Sequence, residues 1–341
     1  MLKPWLQLFR VPNLPTAVGD AVAGGAAVAA FCLRDTFDSA VRDGVVRAAL
    51  AAGLAELLLY LGGLADNDLI DEAADRAAGS DRPLATGALS RKSVRAARLL
   101  CFAAAGVVGL AFRLGAGWWA CAATVLASIL AYDRVKERMP RLGPWLMGLC
   151  RGLAVASGAA AAIASFPSGN AASSDATALW LVVVGPMVLG WTLYTAAVTR
   201  LGAGEEQAAA PLGSDRYLPA ANALVPAWFA WAAILSWAVW SLRGHVPVDG
   251  VTTEYLAPLV GCLAAMATWC AAVAPLGKPH GPRERGRAVG RAIGGLLWMQ
   301  TGFLCFQFPR GAPIAAFVAL AATCWLARLA IRRAWPAITG S

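Results

Sequence analysis

Charged residues are scarce in this sequence. Only 14% of its 341 residues are Asp, Glu, Lys or Arg, whereas a soluble domain of this length carries roughly 25%. Hydrophobic residues make up 59% of the chain. A chain with so few charged side chains cannot cover itself with polar surface, so part of its solvent must be lipid. The deficit excludes an ordinary water-soluble fold and favours a bundle of apolar helices.

The residue patterns of several common sites are also missing. His245 and His280 are the two histidines, and both lie between apolar runs, which argues against a histidine-ligated zinc or haem site. None of the eight cysteines belongs to a CxxC pair, so we interpret them as small buried apolar residues. No P-loop and no GxSxG motif occurs. The net charge of +9 comes mainly from loops between apolar runs, which indicates membrane orientation and not nucleic-acid binding.

Apolar runs near the roughly 20 residues needed to cross a bilayer recur along the chain. They are rich in Ala and Gly, which allows close packing of helices in a membrane. They predict an all-α, polytopic transmembrane bundle of about nine to ten helices in a single domain spanning residues 1–341. The first run is expected to be a retained helix and not a cleaved signal peptide. The runs lie at about 14–33, 47–65, 94–113, 116–132, 144–164, 178–199, 218–242, 254–275, 290–308 and 311–331.

Basic and non-basic loops alternate between these runs. Loops 133–143 and 276–291 are rich in Lys and Arg, whereas residues 165–177 contain neither. Because basic loops stay on the cytoplasmic side of a membrane, both chain termini are predicted to be cytoplasmic, in an inner or cell membrane. The same rule assigns to the cytoplasm the loops at 66–93, 133–143, 200–217 and 276–290.

An acid-rich segment directly follows the second apolar run. Residues 66–90 contain six acidic side chains, and Asn67, Asp71 and Asp75 are spaced four residues apart. In a helix this spacing places them near one face, where their oxygens can converge on Mg²⁺ together with substrate phosphates. A solvated acidic loop with a helix cap is an equally good interpretation of the spacing alone. Arg82 favours the metal site, since a diphosphate also needs a fixed cation.

These residues resemble a known motif. The pattern N-D-x-x-D-x-x-x-D followed by D-R-P-L-x-x-G-x-L-S is similar to the first aspartate-rich motif of the UbiA superfamily of membrane prenyltransferases. The matching residues are Asn67, Asp68, Asp71, Asp75, Asp81, Arg82, Pro83, Gly87 and Ser90.

The resemblance extends over about residues 1–200. The segment LQLFRVPNLPTAVGDAVAGG, with Arg10 and Asn13, resembles the family's opening helix. Tyr132 and Lys136 resemble its Y-x-x-x-K segment, and GPWLMGLCRGLAVASG, with Arg151, resembles a subgroup of bacterial UbiA-like proteins.

The resemblance implies a Mg²⁺-dependent transfer of an isoprenyl group from an isoprenyl diphosphate to an aromatic or other lipid-soluble acceptor in the bilayer. It implies Asp71, Asp75 and Lys136 as catalytic residues, although Lys136 also fits ordinary cytoplasmic loop charge. The implied metal ligands are Asn67, Asp68, Asp71 and Asp75, and the implied diphosphate-binding residues are Arg82, Lys136, Arg151, Tyr132, Arg10 and Asn13.

The second aspartate motif of the family, D-x-x-x-D, is incomplete here. Gly202 and Glu206 stand at its two positions. Glu205, Glu206 or Asp215 is a substitute metal ligand in one interpretation, and part of a flexible polar loop in the other. The degraded motif keeps open a second hypothesis, a non-catalytic binder or transporter of an isoprenoid or another hydrophobic metabolite. A purely structural membrane subunit leaves the clustered acids unexplained.

Overall fold

The computed structural model describes residues 2–32, 39–136, 138–166, 179–202, 253–274 and 282–304, together with Leu326 and Arg333. These residues form α-helices with short helical turns, and no strand occurs among them. A 3-10 turn covers Val11–Asn13, and a π-helical turn covers Trp180–Val184. The α-helices are α1 (Leu2–Leu8), α2 (Leu14–Cys32), α3 (Ser39–Ala77), α4 (Arg91–Ala111), α5 (Gly115–Val135), α6 (Gly143–Ala164), α7 (Gly185–Gly202), α8 (Thr253–Val273) and α9 (Pro282–Leu304).

The predicted all-α polytopic fold is confirmed. Helices α2, α4, α5, α6 and α8 coincide with predicted runs to within about three residues at either end. The run at 178–199 is covered from Leu179 by the π-helical turn and α7, and α9 begins eight residues before the run at 290–308. Within the described ranges, four helices are long and apolar enough to cross a membrane, namely α3 from Ala40, α4, α5 and α6. The predicted helices 218–242 and 311–331 lie outside the described residues.

Helix α3 is much longer than predicted. The apolar run ends near residue 65, but the helix continues to Ala77 through the acid-rich segment that was expected to be a loop. Its 39 residues measure about 58 Å, whereas the hydrocarbon core is about 30 Å thick. Leu69 holds the extension in place, because it packs in a small apolar cluster with Leu84 and Val94. The acidic side chains of residues 66–75 therefore lie on the last turns of a continuous helix.

The helices differ in how deeply they are buried. In α3 and α6, 61% and 67% of the most apolar stretch is buried inside the protein, compared with 17% and 22% in α4 and α5. Leu99, Leu110 and other large apolar side chains of α4 are exposed on the outer surface. Because the solvent of this surface is lipid, α3 and α6 form the centre of the bundle, and α4 and α5 form part of its wall.

Helices α2 and α6 cross in close contact through glycines. A Cβ atom on Gly158 would lie 1.8 Å from the backbone oxygen of Ala21, and one on Gly24 would lie 2.0 Å from that of Val155. Only glycine permits this approach of two backbones, as is common between membrane helices. The crossing places the middle of α2 directly against α6.

Candidate active site

The end of α3 presents a row of oxygen-bearing side chains. A spacing of four residues rotates a helix by only about 40°, so Asn67, Asp71 and Asp75 share one face. Asn67 Nδ2 donates a hydrogen bond of 2.9 Å to Asp71 Oδ2. Asp68 lies beside this row and is buried. The spacing that suggested a shared face is thus realised, on a helix and not in a loop.

The turn after α3 folds back and places Arg82 against this row. Gly79 and Gly87 have φ angles of +67° and +77°, which glycine adopts without strain. Arg82 Nη1 lies 2.9 Å from Asp75 Oδ2, 3.4 Å from Asp71 Oδ2 and 3.8 Å from Asp68 Oδ1. Burial lowers the pKa of Arg82, but these three carboxylates raise it more, so the pKa lies above its ordinary value.

The end of α5 contributes Lys136. Its Nζ donates hydrogen bonds of 2.7 Å to both Asn67 Oδ1 and Asp71 Oδ2. The same Nζ lies 5.6 Å from the centre of the Tyr132 ring, within reach of a cation–π contact. Residues about 65 positions apart in the chain therefore meet in one cluster. We call Asn67, Asp68, Asp71, Asp75, Arg82 and Lys136 the rim cluster.

Two acids of the same segment belong to other contacts. Asp66 is buried and pairs with Arg98, and its second oxygen lies 3.4 Å from Arg134 Nη1. Glu72 pairs with Arg76 at 2.9 Å and with Arg91 at 2.7 Å. The pairs of Asp66 join α3 to α4 and α5, and those of Glu72 lie within α3 and between α3 and α4. The acids of residues 66–75 thus divide into the rim cluster and ion pairs that join helices.

A cavity of about 130 Å³ opens beside the rim cluster and continues into the bundle. Asn67, Tyr132 and Arg10 line it, and further walls come mainly from apolar side chains such as Leu64 and Ile129. Arg10 adopts a left-handed backbone conformation with φ 44°, which costs an arginine roughly 1 kcal/mol or more. Its guanidinium forms no ion pair within the described residues. The cavity wall therefore includes a cation without an ion pair among the described residues.

Asn13 does not line this cavity. It ends the 3-10 turn after Arg10, and its backbone N–H donates a hydrogen bond of 2.9 Å to the Arg10 carbonyl oxygen. Its own carbonyl oxygen accepts a 2.7 Å hydrogen bond from Thr16 Oγ1. The structure therefore places Asn13 where it holds the turn that presents Arg10.

Arg151 lines the cavity but is engaged deeper in the bundle. Its Nε lies 2.7 Å from Asp20 Oδ2, and its Nη2 donates a 2.9 Å hydrogen bond to the Thr16 carbonyl oxygen. Asp20 Oδ1 accepts a hydrogen bond of 2.7 Å from Trp191 Nε1 and another from Gln300 Nε2. We call these five residues the inner network. It joins α2, α6, α7 and α9. Within it, the guanidinium of Arg151 contacts Asp20 and Thr16 and no residue of the rim cluster that the structure describes.

Besides Asp66, three buried acids were not predicted as site residues. Asp20 belongs to the inner network, Glu56 lines the cavity and accepts a 2.7 Å hydrogen bond from Ser157 Oγ, and Asp133 lines the cavity next to Tyr132. Asp20 and Glu56 occur within apolar runs, where an ionisable residue is a signal of a specific role. Asp133 carries no such signal, since its neighbours in the chain are charged.

The rim cluster fits a divalent cation. Asn67, Asp71 and Asp75 supply oxygen donors of the kind Mg²⁺ prefers, and Asp71 Oδ1 is buried without a hydrogen-bond partner. Among the described residues no group of three or more His, Cys, Asp or Glu side chains converges closely enough to hold a metal unaided. Mg²⁺ requires only one or two carboxylates when substrate phosphates complete its shell. Glu205 and Glu206, the predicted further ligands, lie outside the described residues.

Comparisons with known proteins identify the family and the fold of the chain. A family model described as the UbiA prenyltransferase family matches residues 21–202, just over half of the chain. One solved structure, described as giving structural and mechanistic insights into digeranylgeranylglyceryl phosphate synthase in membranes, superposes with a TM-score of 0.54 and 16% identity. The match covers 89% of this chain and 97% of that chain, and at this identity it shows a shared fold. A search of the curated proteins finds no match.

Proposed function

The chain belongs to the UbiA prenyltransferase family, and from this membership we propose that it transfers an isoprenyl group from an isoprenyl diphosphate to an aromatic or other lipid-soluble acceptor, with Mg²⁺ as its cofactor. It is an integral membrane prenyltransferase. The observation that carries the finer proposal is the rim cluster, in which oxygen donors and two cations meet beside a cavity that leads into the bundle. Family membership favours this enzyme over a non-catalytic binder or transporter.

The acids of the rim cluster are proposed to hold the metal. Asn67, Asp71 and Asp75 would bind Mg²⁺ through side-chain oxygens on one helix face, with Asp68 beside them. When bound, the metal would neutralise negative charge on the departing diphosphate. The length and rigidity of α3 fix these oxygens at the mouth of the cavity, so little reorganisation is needed during the reaction.

The cations are proposed to hold the diphosphate. Lys136 and Arg82 already lie at the row of acids, and each has further N–H groups to donate to phosphate oxygens. Arg10 adds an unpaired guanidinium, the group best suited to grip phosphate through two parallel hydrogen bonds. Asn13 holds the Arg10 turn. Arg151, which is paired with Asp20, is proposed to support the cavity wall and not to contact phosphate in this arrangement.

The apolar cavity is proposed to hold the isoprenyl chain and the acceptor. The bond between C1 of the isoprenyl group and the diphosphate oxygen breaks, a bond from C1 to the acceptor forms, and the acceptor loses a proton. Tyr132, which lines the cavity, is proposed to stabilise positive charge that develops on C1. We place the rim cluster at the cytoplasmic side, because the loops that flank it are rich in Lys and Arg.

Turnover by the purified protein in lipid nanodiscs tests this function. Farnesyl or geranylgeranyl diphosphate is supplied with Mg²⁺ and a panel of aromatic and lipid alcohol acceptors, and both diphosphate release and prenylated product are measured. Asp71→Asn and Lys136→Met are each expected to lower the rate by about 100-fold or more, because each removes a group that neutralises or holds charge in the transition state. Glu72→Gln is the matched control on the same helix, and its rate should equal that of the wild type.

Two results would count against the proposal. Turnover that persists in excess EDTA would remove the metal from the mechanism. A rate for Asp71→Asn equal to that of Glu72→Gln would mean that the acid-rich helix end is not the reaction site.

A further inference from the structure

Asp133 is a buried acid near the rim cluster whose contact with the described residues is a long ion pair to Lys136. Its side chain lies in the last turn of α5 and is 3% exposed. Among the described residues its Oδ2 atom has no hydrogen-bond partner, and its Oδ1 atom lies 3.9 Å from Lys136 Nζ, beyond hydrogen-bond distance. A buried carboxylate oxygen without a partner is strongly disfavoured, so its presence calls for a ligand.

The position of Asp133 on its helix adds to this argument. The carboxyl end of a helix carries a partial negative charge and favours Lys, Arg or His over an acid. Asp133 therefore meets negative potential from the end of α5 and from Asp66 and Asp71 of α3, which Lys136 and Arg134 offset in part. Such a position is stabilised by a cation with more than one positive charge.

A second unpartnered oxygen lies near Lys136. Asp71 Oδ1 is buried without a hydrogen-bond partner among the described residues, while Asp71 Oδ2 accepts the 2.7 Å hydrogen bond from Lys136 Nζ. Asp71 and Asp133 thus belong to different helices, lie within 4 Å of the same ammonium group, and each keep one oxygen without a hydrogen bond from the described part of the chain. Asn67, which also contacts Lys136, lines the same cavity as Asp133.

We propose that Asp133 is a ligand of the divalent-cation site, supplying a carboxylate from α5 opposite Asp71 of α3. Two carboxylates from facing helices, completed by diphosphate oxygens and water, are a usual shell for Mg²⁺. This inference rests on the proposed function, since it assigns a further residue to the same site. It also supplies the metal site with a carboxylate from outside the incomplete second motif at residues 202–206.

Metal binding, measured directly, tests this role apart from turnover. Mn²⁺ is titrated into the protein in nanodiscs in the presence of inorganic pyrophosphate, and bound Mn²⁺ is followed by electron paramagnetic resonance. Asp133→Asn, which keeps the size of the side chain, is expected to weaken Mn²⁺ binding by about 10- to 100-fold. Asp71→Asn should have an effect of this size or larger, and Glu72→Gln should bind like the wild type.

A cysteine variant tests ligation by a gain of binding. Because a thiolate prefers soft metals, Asp133→Cys should lose Mn²⁺ affinity and gain Cd²⁺ affinity relative to the wild type, which already contains the native cysteines. A residue that only supports the fold would not change metal preference in this way. The thermal unfolding temperature of each variant establishes that the loss of Mn²⁺ binding occurs in folded protein.

The possible outcomes separate the inference from the proposed function. Mn²⁺ affinity of folded Asp133→Asn within twofold of the wild type, with Asp71→Asn weakened, overturns the role of Asp133 and leaves the proposed function intact. Equal affinities in the wild type, Asp71→Asn and Glu72→Gln, or no binding by the wild type, overturn both. Weakened binding in Asp133→Asn together with Cd²⁺ binding by Asp133→Cys supports the inference.

Discussion

The rim cluster and the inner network are built from the same kinds of residue but differ in how their charges are satisfied. In the inner network, the two oxygens of Asp20 contact donors from three other helices, and Asp20 is fully buried. Asp20 Oδ2 is held by its ion pair with Arg151 and accepts no hydrogen bond from the described residues. In the rim cluster, Lys136 and Arg82 are 17% and 32% exposed. The charges of the inner network are therefore closed off from solvent, whereas those of the rim cluster are partly open to it.

This difference separates structural from functional charge in an apolar bundle. The inner network joins four helices, and each oxygen of Asp20 lies close to a donor from another helix. The rim cluster pairs its acids with two partly exposed cations and borders the cavity through Asn67. An ionisable residue in a membrane protein signals importance in either case. Only its partners decide which kind of importance it has.

The largest effect on stability is expected from removing one charge of the inner network. Asp20→Leu leaves Arg151 buried without its counter-charge and should lower the free energy of unfolding by about 3–5 kcal/mol. Thermal unfolding in detergent, followed by tryptophan fluorescence, measures the change. The double variant Asp20→Leu/Arg151→Met should recover much of the loss, because it removes both charges. A single variant as stable as the wild type would contradict the structural role of the network.

The next largest effect is expected at the crossing of α2 and α6, the helices that contribute Asp20 and Arg151 to the inner network. Gly158→Ala places a Cβ atom against the Ala21 backbone oxygen of α2 and should lower the free energy of unfolding by roughly 1–3 kcal/mol. Gly106→Ala on α4 is the matched control, because its Cβ atom would meet only Trp119, at 3.9 Å. Thermal unfolding of the two variants side by side checks the difference. Equal stability would mean that α2 and α6 are not in backbone contact.

A smaller and more selective effect is expected at the rim. Arg10→Asn removes the unpaired guanidinium, while Asn tolerates the left-handed backbone of this position. Binding of an isoprenyl diphosphate, measured by titration in nanodiscs, should weaken about tenfold, with little change in unfolding temperature. Lys3→Gln, at an exposed position near the same end of the chain, should bind like the wild type. If the two variants bind alike, Arg10 has no part in holding the diphosphate.

The smallest effect is expected at Glu72. Glu72→Gln weakens the ion pairs to Arg76 and Arg91, two largely exposed side chains, and should change the free energy of unfolding by less than about 1 kcal/mol. The rate of prenyl transfer should not change. Both are measured on the same preparation, by thermal unfolding and by product formation. A large loss of activity would show that Glu72 belongs with the acids of the rim cluster and not with the acids that only form ion pairs between helices.

Local pattern was sufficient to predict the helical fold and the row of Asn67, Asp71 and Asp75. The apolar runs set the helices, and a four-residue spacing has the same geometric meaning in any helix. The pattern did not predict the extension of α3 to Ala77, because that extension depends on Leu69 packing against residues beyond the next turn. Hydropathy marks where a helix leaves the lipid, and tertiary contacts decide where it ends.

Long-range pairing accounts for the other differences. Arg151 was expected at the diphosphate, but it pairs with Asp20, which lies 131 positions earlier in the chain. Asp133 lies among charged neighbours in the sequence, and only the approach of α5 to α3 reveals that its carboxyl is buried. Neither fact is encoded in local spacing. Both follow from the way the close crossing of small residues sets the neighbours of each helix.

The central claim is that the open charges of the rim cluster bind a metal diphosphate. Titration of geranylgeranyl diphosphate into the wild type, Asp75→Asn and Glu72→Gln, with Mg²⁺ and again with EDTA, tests it most directly. Binding by the wild type and Glu72→Gln that requires Mg²⁺, and is weakened about 10- to 100-fold or more in Asp75→Asn, is the predicted result. Equal binding by all three proteins with and without Mg²⁺ would contradict the claim.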